Sequence, residues 1–496
     1  MTNFTRFAVT GTVIVFIISI IGAFLGYLVR FVLARNLSVQ DYGLFYSVFS
    51  FLAFFVFIKS FGLDRSIANF IPEFHYKKEN DKIKSLIIYV AIIQFITNSI
   101  IIVGIYLLSN FLSINYFHTP KADTVLKLMA IAFFIDNFVF ILKFSFQGFQ
   151  KMALFASIDL VRMLLILVII LIGFKLNYGI FGPVTAYIVV PALLLIFYTP
   201  ILIKKIFQDF FSSKLILNLK LFKGFISNGI YMMAGDIGWL VLGYTDIIML
   251  TYFTNLTNVG LYNVALPTAN MLTYFPRAAA GVLLPLSAEL WARQAKIFLK
   301  AGIEMLYKYS IIVILPIVLI MFSFTEILLN VLFGKQYLPA ALPMKILSIG
   351  MIFATLYIIN ASFLVGIGNP KLSSIIVYIG GTLNFISNLI LIPIIGMTGA
   401  AITTSISYFV MTIIGISAIR KHIGISLPIG TWFKSVVAGL SFMLFIEILK
   451  KLLDMNIWIE TTVVLFLSGS FYILCLFLLR VADIREVTDI YKRVFK

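Results

Sequence analysis

Two basic residues inside long apolar runs are the strongest candidates for chemistry. Lys59 lies in the apolar run 43–63 and Arg277 in the run 259–289. An ionisable group inside hydrocarbon costs about 2.5–3.5 kcal/mol on insertion scales, so each predicts a functional site, here the binding of an anionic group in a cavity. The structural alternatives are that Lys59 extends to the membrane surface and that Arg277 is neutralised by a carboxylate such as Asp246.

Three further charged residues lie at the ends of apolar runs. Arg30 is near the outer end of the run 10–34, where it either contacts substrate or anchors the helix at the membrane interface. Asp64 and Arg65 are adjacent at the end of the run 43–63. They either line the mouth of a cavity or neutralise one another.

Acidic residues inside the apolar runs are candidates for ion coupling. Asp159 and Arg162 are three positions apart in one run, a spacing that permits an ion pair within a single helix and favours a structural role for both residues. Three other aspartates inside the runs have no partner at such a spacing and are the candidates for binding a coupling proton or cation. They are Asp136, Asp236 and Asp246.

Catalytic and metal-binding motifs are absent from the sequence. It contains no G-x-x-x-x-G-K-[ST] phosphate loop, no H-E-x-x-H and no D-x-D pair of the kind a metal-dependent sugar transferase would use. One Cys and three His give no basis for a thiolate or imidazole cluster. The sequence therefore predicts no catalytic residue, metal or cofactor, and disfavours an enzyme.

The composition is that of a membrane protein. Of 496 residues, 61% are hydrophobic and 12% charged, against roughly 45–50% and 25% in soluble domains. Because the net charge of +18 is expected in loops that face anionic lipid, nucleic acid is not predicted as a partner. Fourteen runs are long enough to cross a bilayer. They lie near 10–34, 43–63, 85–109, 125–146, 152–174, 179–203, 224–250, 259–289, 303–324, 340–367, 371–393, 396–419, 431–449 and 457–479.

Basic residues in the joints between the runs predict the orientation. With the N-terminus inside, the inner joints hold 25 Lys and Arg and the outer joints hold 9. Cytoplasmic loops carry the excess of Lys and Arg. We therefore expect a protein of the cell membrane with both termini in the cytoplasm.

Short matches at one nearly constant offset predict an internal duplication. Segments 25–27, 42–45, 148–150 and 179–182 recur 217 or 218 positions later as 242–244, 259–262, 366–368 and 396–399. Each copy of the repeat contains six spans. Because six is even, both copies enter the membrane from the same side, and they are therefore parallel repeats. The predicted parts are an N-terminal lobe 1–210, a cytoplasmic linker 211–223, a C-terminal lobe 224–422, two further spans within 430–480 and a cytoplasmic tail 481–496.

Four segments resemble a known family. They are Leu33 to Phe45, Phe61 to Ile67, Asn258 to Tyr262 and Gly366 to Lys371. The chain is similar to the polysaccharide transporters, or Wzx-type lipid-linked oligosaccharide flippases, of the multidrug/oligosaccharidyl-lipid/polysaccharide exporter superfamily. This resemblance implies an all-α polytopic protein of about 14 transmembrane helices. Its two six-helix lobes would enclose a central cavity with alternating access to the two membrane faces.

The sequence and the resemblance together predict a flippase for a polyprenyl-phosphate- or diphosphate-linked oligosaccharide. The expected partners are this substrate and membrane lipid, with glycan-assembly enzymes as further candidates and a monomer as the expected state. A cation-coupled multidrug exporter of the same fold is the main alternative. A membrane glycosyltransferase or polymerase is a weaker one, because the sequence offers no external catalytic residue.

Overall fold

The described part of the chain is helical throughout. The computed structural model describes residues 3–55, 61–216, 218–453 and 456–481, and no strand occurs among them. Its α-helices, in chain order, are α1 Asn3–Asn36, α2 Val39–Phe54, α3 Leu63–Tyr76, α4 Asn80–Asn115, α5 Lys121–Gly148, α6 Met152–Lys175, α7 Phe181–Ile201, α8 Leu219–Phe253, α9 Leu256–Asn270, α10 Tyr274–Ala292, α11 Lys296–Ser323, α12 Thr325–Leu332, α13 Ala341–Gly366, α14 Pro370–Ile423, α15 Ile429–Leu452 and α16 Ile457–Leu478.

Ten helices in the described residues are long and apolar enough to cross a membrane. One of them, α14, has 54 residues and would extend about 80 Å if straight, roughly twice the thickness of a bilayer. It is interrupted at Ile395 and at Gly396, whose φ of 57° lies in the left-handed region that glycine adopts without strain. The break falls between the predicted runs 371–393 and 396–419. The chain is therefore a multi-pass membrane protein, and the count of fourteen spans stays a prediction.

Helix boundaries recur along the chain at the offset of the predicted duplication. The helices that begin at Asn3, Val39, Asn80, Lys121 and Met152 have counterparts that begin between 216 and 220 positions later, at Leu219, Leu256, Lys296, Ala341 and Pro370. Because helix ends are set by local sequence signals, the recurrence supports the repeat independently of the short residue matches.

The predicted runs 43–63 and 259–289 differ from the helices of the structure. In the first, α2 ends at Phe54, residues 56–60 lie outside the described part of the chain, and Gly62 in a left-handed conformation precedes α3, which begins at Leu63. The second divides into α9 and α10, separated by the 3-10 turn Met271–Thr273. Pro276 follows this turn closely and, lacking an N–H, cannot donate to the carbonyl four residues earlier.

One glycine contact is repeated at equivalent positions. A β-carbon on Gly148 would lie 2.8 Å from the β-carbon of Ile71 and 3.2 Å from the carbonyl oxygen of Ile67. A β-carbon on Gly366 would lie 2.7 Å from the carbonyl oxygen of Leu284, the residue 217 positions after Ile67. In a membrane no hydrophobic effect drives helices together, and small residues let them approach closely enough to pack. The same helix contact is thus built twice.

The structure divides into two compact units, Met1–Asn263 and Val264–Lys496. In unit 1, α8 packs on α2 and α3, and α5 packs on α3, α4 and α7. In unit 2, α13 packs on α10, α11 and α14, and α15 packs on α11 and α16. This division follows contacts rather than repeats, so the lobe boundaries 1–210 and 224–422 stay a prediction.

Candidate functional site

Unit 1 encloses a cavity of ≈ 280 Å³ between α2, α5, α6, α7 and α8, which we call the unit 1 cavity. Its walls are mainly aromatic and aliphatic, and its polar groups are a carboxylate, a guanidinium and two phenols. The lining residues are Phe49, Ala53, Ala132, Phe133, Asp136, Phe140, Arg162, Met163, Ile166, Tyr187, Pro191, Leu240 and Tyr244. A concave, mostly apolar site with a few convergent polar groups is the usual form of a ligand pocket.

Asp136 of α5 and Arg162 of α6 form an ion pair across the unit 1 cavity. Nη1 of Arg162 lies 2.9 Å from Oδ1 of Asp136, with the side chains 14% and 20% exposed respectively. The predicted pair within α6 is wrong, because Asp159 instead lies 2.5 Å from Nζ of Lys143 on α5. Two interhelical ion pairs therefore join α5 and α6, and Asp136 has a partner that spacing along its own helix could not reveal.

Arg162 has buried donors that the ion pair does not use. Its Nε and Nη2 are buried and have no hydrogen-bond partner among the described residues. Oδ1 of Asp136 also has no hydrogen-bond partner there, although Nη1 of Arg162 lies 2.9 Å away. The guanidinium carbon lies 5.4 Å from the ring centroid of Phe140. The ion pair is thus poorly aligned and leaves one edge of the guanidinium unsatisfied.

Arg30 of α1 lies inside unit 1 rather than at a helix end. Its guanidinium carbon is 4.4 Å from the ring centroid of Tyr46, a cation–π distance, and its Nη1 is 3.5 Å from the carbonyl oxygen of Asn263. Two cavity-lining phenols, Tyr187 and Tyr244, interact electrostatically with it. Within the described residues no carboxylate forms an ion pair with Arg30.

The predicted pair of Lys59 and Arg277 is not tested by the structure. Lys59 lies outside the described residues. Arg277 lies at the start of α10 in unit 2, is exposed, and donates from Nε to the hydroxyl of Thr273 at 3.1 Å.

The remaining predicted residues lie in unit 1. Oδ1 of Asp64 accepts a hydrogen bond at 3.0 Å from the backbone N–H of Arg65, whose side chain is exposed at the start of α3. Asp246 of α8 is buried and accepts a hydrogen bond at 2.5 Å from the hydroxyl of Tyr262. It therefore has a partner in space that is 16 positions away in sequence. Asp236 also belongs to α8, but its side chain lies outside the described part of the chain.

The helix α8 contacts the α2 and α3 segment at both of its ends. Near the end of α8, the hydroxyls of Thr251 and Ser47 are 2.6 Å apart. Near its beginning, Oδ1 of Asn228 accepts from the hydroxyl of Ser66 at 3.1 Å, and a β-carbon on Gly62 would lie 2.2 Å from the carbonyl oxygen of Gly229. These two contacts lie about 23 residues apart along α8, on the order of 35 Å.

A buried polar network in unit 2 was not predicted from the sequence. Nδ2 of Asn384 donates to the hydroxyl of Thr404 at 3.1 Å, and Nδ2 of Asn388 donates to Oδ1 of Asn384 at 3.1 Å. Thr403 donates to Oδ1 of Asn388. Amides and hydroxyls carry no charge, so they gave no signal among the ionisable residues.

Comparisons with known proteins identify relatives over the full length of the chain. A family profile described as "Polysaccharide biosynthesis protein" matches residues 8–291. An uncharacterized membrane protein of Methanocaldococcus jannaschii is 34% identical over 484 residues, which is 95% of each chain. A protein of Haloferax volcanii named "Probable low-salt glycan biosynthesis flippase" is 23% identical over 184 residues, 37% of this chain and 39% of that one.

A solved structure has a similar fold. The lipid II flippase MurJ in its inward closed conformation aligns with 98% of this chain and 100% of its own, with a TM-score of 0.72 and 17% identity. At this identity the likeness concerns the fold alone. It agrees with the all-α membrane architecture that the apolar runs predict.

Proposed function

Because the chain belongs to the polysaccharide biosynthesis protein family, we propose that it is a flippase for a lipid-linked oligosaccharide. The cargo is a polyprenyl-phosphate- or diphosphate-linked glycan, moved from the cytoplasmic to the outer leaflet of the cell membrane for assembly of surface polysaccharide or glycan. The name of the Haloferax volcanii relative and the shared fold of the lipid II flippase support this function. The relatives point to a transporter rather than an enzyme.

The charge around the unit 1 cavity favours an anionic cargo. Among the described lining residues, Asp136 and Arg162 balance one another, and Arg30 beside the cavity adds a positive charge with which no described carboxylate forms an ion pair. A buried charge without a counter-ion is costly, by several kcal/mol even after relaxation. An anionic headgroup would supply the counter-ion.

A cation-coupled multidrug exporter is the alternative with the same fold. Its cargo is cationic, so its cavity should be acidic or apolar. The position of Arg30 against Tyr46 and beside the cavity disfavours this alternative. A membrane glycosyltransferase or polymerase is less well supported still, because no catalytic constellation emerges from the sequence.

We assign further roles to the other predicted residues as part of the same proposal. Lys59 and Arg277 bind the phosphate groups of the cargo, one from each repeat, and Asp64 and Arg65 line the inner mouth. Asp236 and Asp246 are candidates for binding a coupling ion. Asp136 acts first as the counter-ion of Arg162, although it also remains a candidate for coupling.

The membrane potential favours this direction of transport without strong ion coupling. A diphosphate carries about two negative charges, and each charge expelled from a negative interior gains about 2.3 kcal/mol per 100 mV. The protein must therefore mainly shelter the headgroup from hydrocarbon. Alternating access would shelter the headgroup if the contact between Thr251 and Ser47 and the contact between Asn228 and Ser66 opened in turn.

Reconstituted transport tests the proposal. The purified protein is placed in liposomes with a fluorescent polyprenyl-diphosphate oligosaccharide, and the fraction of the probe exposed to an impermeant quencher is followed with time. We expect faster equilibration than in protein-free liposomes, and at least tenfold slower equilibration for Arg30→Leu. Arg35→Leu, an exposed position on the same helix, is the matched control and should keep the wild-type rate.

A second assay separates the alternative. Efflux of a cationic dye is measured in the same liposomes under a proton or sodium gradient. Dye efflux without movement of the glycan lipid would overturn the flippase assignment and favour the multidrug exporter.

A further inference from the structure

The segment of the chain just before α8 is held along α4 by a row of side chains. Alternate backbone N–H groups of this segment donate hydrogen bonds to side-chain oxygens of α4. Lys214 donates to Oδ1 of Asp81 at 2.7 Å, Ile216 to Oγ of Ser85 at 2.8 Å, and Asn218 to the hydroxyl of Tyr89 at 3.2 Å. We call these three contacts the side-chain ladder.

The spacing of the donors matches the spacing of the acceptors. The acceptors are four positions apart on α4, which is about 6.0 Å along the axis of a helix. The donors are two positions apart, which is about 6.6 Å in an extended chain. An extended segment that lies parallel to α4 therefore places every second N–H beside every fourth side chain. A match over three successive contacts indicates a docked segment rather than a loose loop.

Further hydrogen bonds hold the same segment. The hydroxyl of Tyr89 donates to the carbonyl oxygen of Ile216, and Nζ of Lys84 donates to the carbonyl oxygen of Ser213 at 2.7 Å. Residues 209–218 contain no glycine, the residue that gives a backbone the most freedom. The connection into α8 is therefore held through its own backbone and has little slack.

The side-chain ladder ends where α8 begins. The carbonyl oxygen of Asn218 accepts a hydrogen bond at 3.0 Å from the backbone N–H of Phe222, in the first turn of α8. The ring of Phe222 packs edge-on against Tyr89, with the centroids 5.5 Å apart. Because Asn218 belongs to both the ladder and the helix, the beginning of α8 cannot move away from α4 without stretching the last ladder bond.

The next turns of α8 lie on α3. Phe225 is buried, and its ring centroid is 5.0 Å from that of Phe70. One turn further on, Oδ1 of Asn228 accepts a hydrogen bond from Ser66. This contact lies ten positions after Asn218, about 15 Å along the helix. A short length of one helix therefore connects the ladder to the contact with α3.

The ladder bonds are of a kind that can break and re-form. The bonds of Asp81 and Tyr89 are exposed, and that of Ser85 is partly buried. Water can replace the partner in an exposed hydrogen bond, so each bond alone contributes little net stability. The ladder is therefore strong only as a set, and the loss of one member should weaken it measurably.

We propose that the side-chain ladder is a latch, which holds the beginning of α8 on α3 and must release before the contact between Ser66 and Asn228 opens. Each ladder bond that is removed then shifts the balance toward the open contact. The place of this opening in a transport cycle rests on the proposed function, whereas the latch itself does not.

Thiol labelling of the full-length protein in lipid nanodiscs tests the latch. Ser66→Cys is introduced with Cys475 replaced, and because Ser66 is buried against α8, a maleimide reacts there only when the contact opens. In this background Tyr89→Phe, which removes the hydroxyl and keeps the ring, should raise the labelling rate at least threefold. Tyr76→Phe, at an exposed position outside the ladder, is the matched control and should leave the rate unchanged. Equal rates in the two variants would overturn the proposal.

A second cysteine separates the latch from a general loosening of the fold. Ser113→Cys, near the other end of α4, is equally buried, and its labelling rate should be the same with and without Tyr89→Phe. A comparable rise at both cysteines would show that the hydroxyl only stabilises the fold, and would also overturn the latch. Ser85→Ala removes the middle acceptor, and both measurements are made with it if Tyr89→Phe does not fold.

Transport distinguishes the failure of the latch from the failure of the proposed function. Ser85→Cys and Ile216→Cys, joined by a short bifunctional thiol reagent, should stop glycan-lipid transport because the ladder can no longer release. Each single cysteine treated with the reagent should remain active. A joined variant that still transports retains the flippase function and overturns the latch. A protein whose labelling at Ser66→Cys responds to Tyr89→Phe but which moves no glycan lipid retains the latch and loses the flippase function.

Discussion

Gly43 and Gly260 face one another across the crossing of α2 and α9, and neither position has room for a side chain. A β-carbon on Gly43 would lie 1.8 Å from the carbonyl oxygen of Leu256, and one on Gly260 would lie 2.3 Å from that of Val39. The two glycines are 217 positions apart, and so are Val39 and Leu256. Such reciprocity, in which equivalent residues contact each other, is what the predicted duplication would produce at this crossing.

The first prediction is that alanine at either glycine destabilises the protein. Gly43→Ala and Gly260→Ala should each cost about 1–3 kcal/mol, because the backbones must separate to admit the methyl group. The measurement is thermal unfolding in detergent by fluorescence-detected gel filtration. Gly104→Ala is the control, since no atom of the described residues would lie within 4 Å of a β-carbon at that position. Equal stability of all three variants would contradict the close crossing.

The second prediction concerns movement at the two ends of α8. Disulfides between Ser47→Cys and Thr251→Cys, or between Ser66→Cys and Asn228→Cys, should each stop glycan-lipid transport in a protein with Cys475 replaced. The paired oxygens are 2.6 and 3.1 Å apart, so the new thiols start close together. Activity should return with reductant, and each single cysteine should remain active. Full transport by either oxidised double variant would exclude opening at that contact.

The third prediction is the orientation of the chain. In the same cysteine-free background, Asn255→Cys should react with an impermeant maleimide added to intact cells, and Lys214→Cys should react only after lysis. Both positions are exposed, so accessibility to the reagent depends on the side of the membrane. The reverse labelling pattern would invert the topology predicted from the basic joints.

The fourth prediction concerns Lys59 and Arg277. Lys59→Ala or Arg277→Ala should abolish glycan export at normal protein abundance, whereas Lys59→Arg and Arg277→Lys should retain partial activity because the positive charge persists. Export is measured in cells that lack the native protein. Normal export by both alanine variants would make the pair structural and leave Arg30 and Arg162 as the cationic groups of the site.

The sequence by itself determined the properties that depend on neighbouring residues. Long apolar runs predicted helices because a backbone in hydrocarbon must satisfy its hydrogen bonds internally, and the run 152–174 corresponds to α6 at Met152–Lys175. The offset of 217 between Gly43 and Gly260 could also be read directly from the sequence. Family membership followed from the same local motifs and is confirmed by the polysaccharide biosynthesis family profile, which matches residues 8–291.

Tertiary structure decided which residues meet. Spacing along one helix favoured Asp159 as the ion-pair partner of Arg162. In the structure α5 packs on α6, so Arg162 instead pairs with Asp136, and Asp159 pairs with Lys143. The start of α3 has a similar origin, because Gly62, the residue before this helix, meets the backbone of Gly229, a residue far away in sequence. Charge and periodicity in the sequence specify which side chains lie on each face of a helix. The partner of a buried charge depends on the distance and angle between helices, which no local pattern encodes.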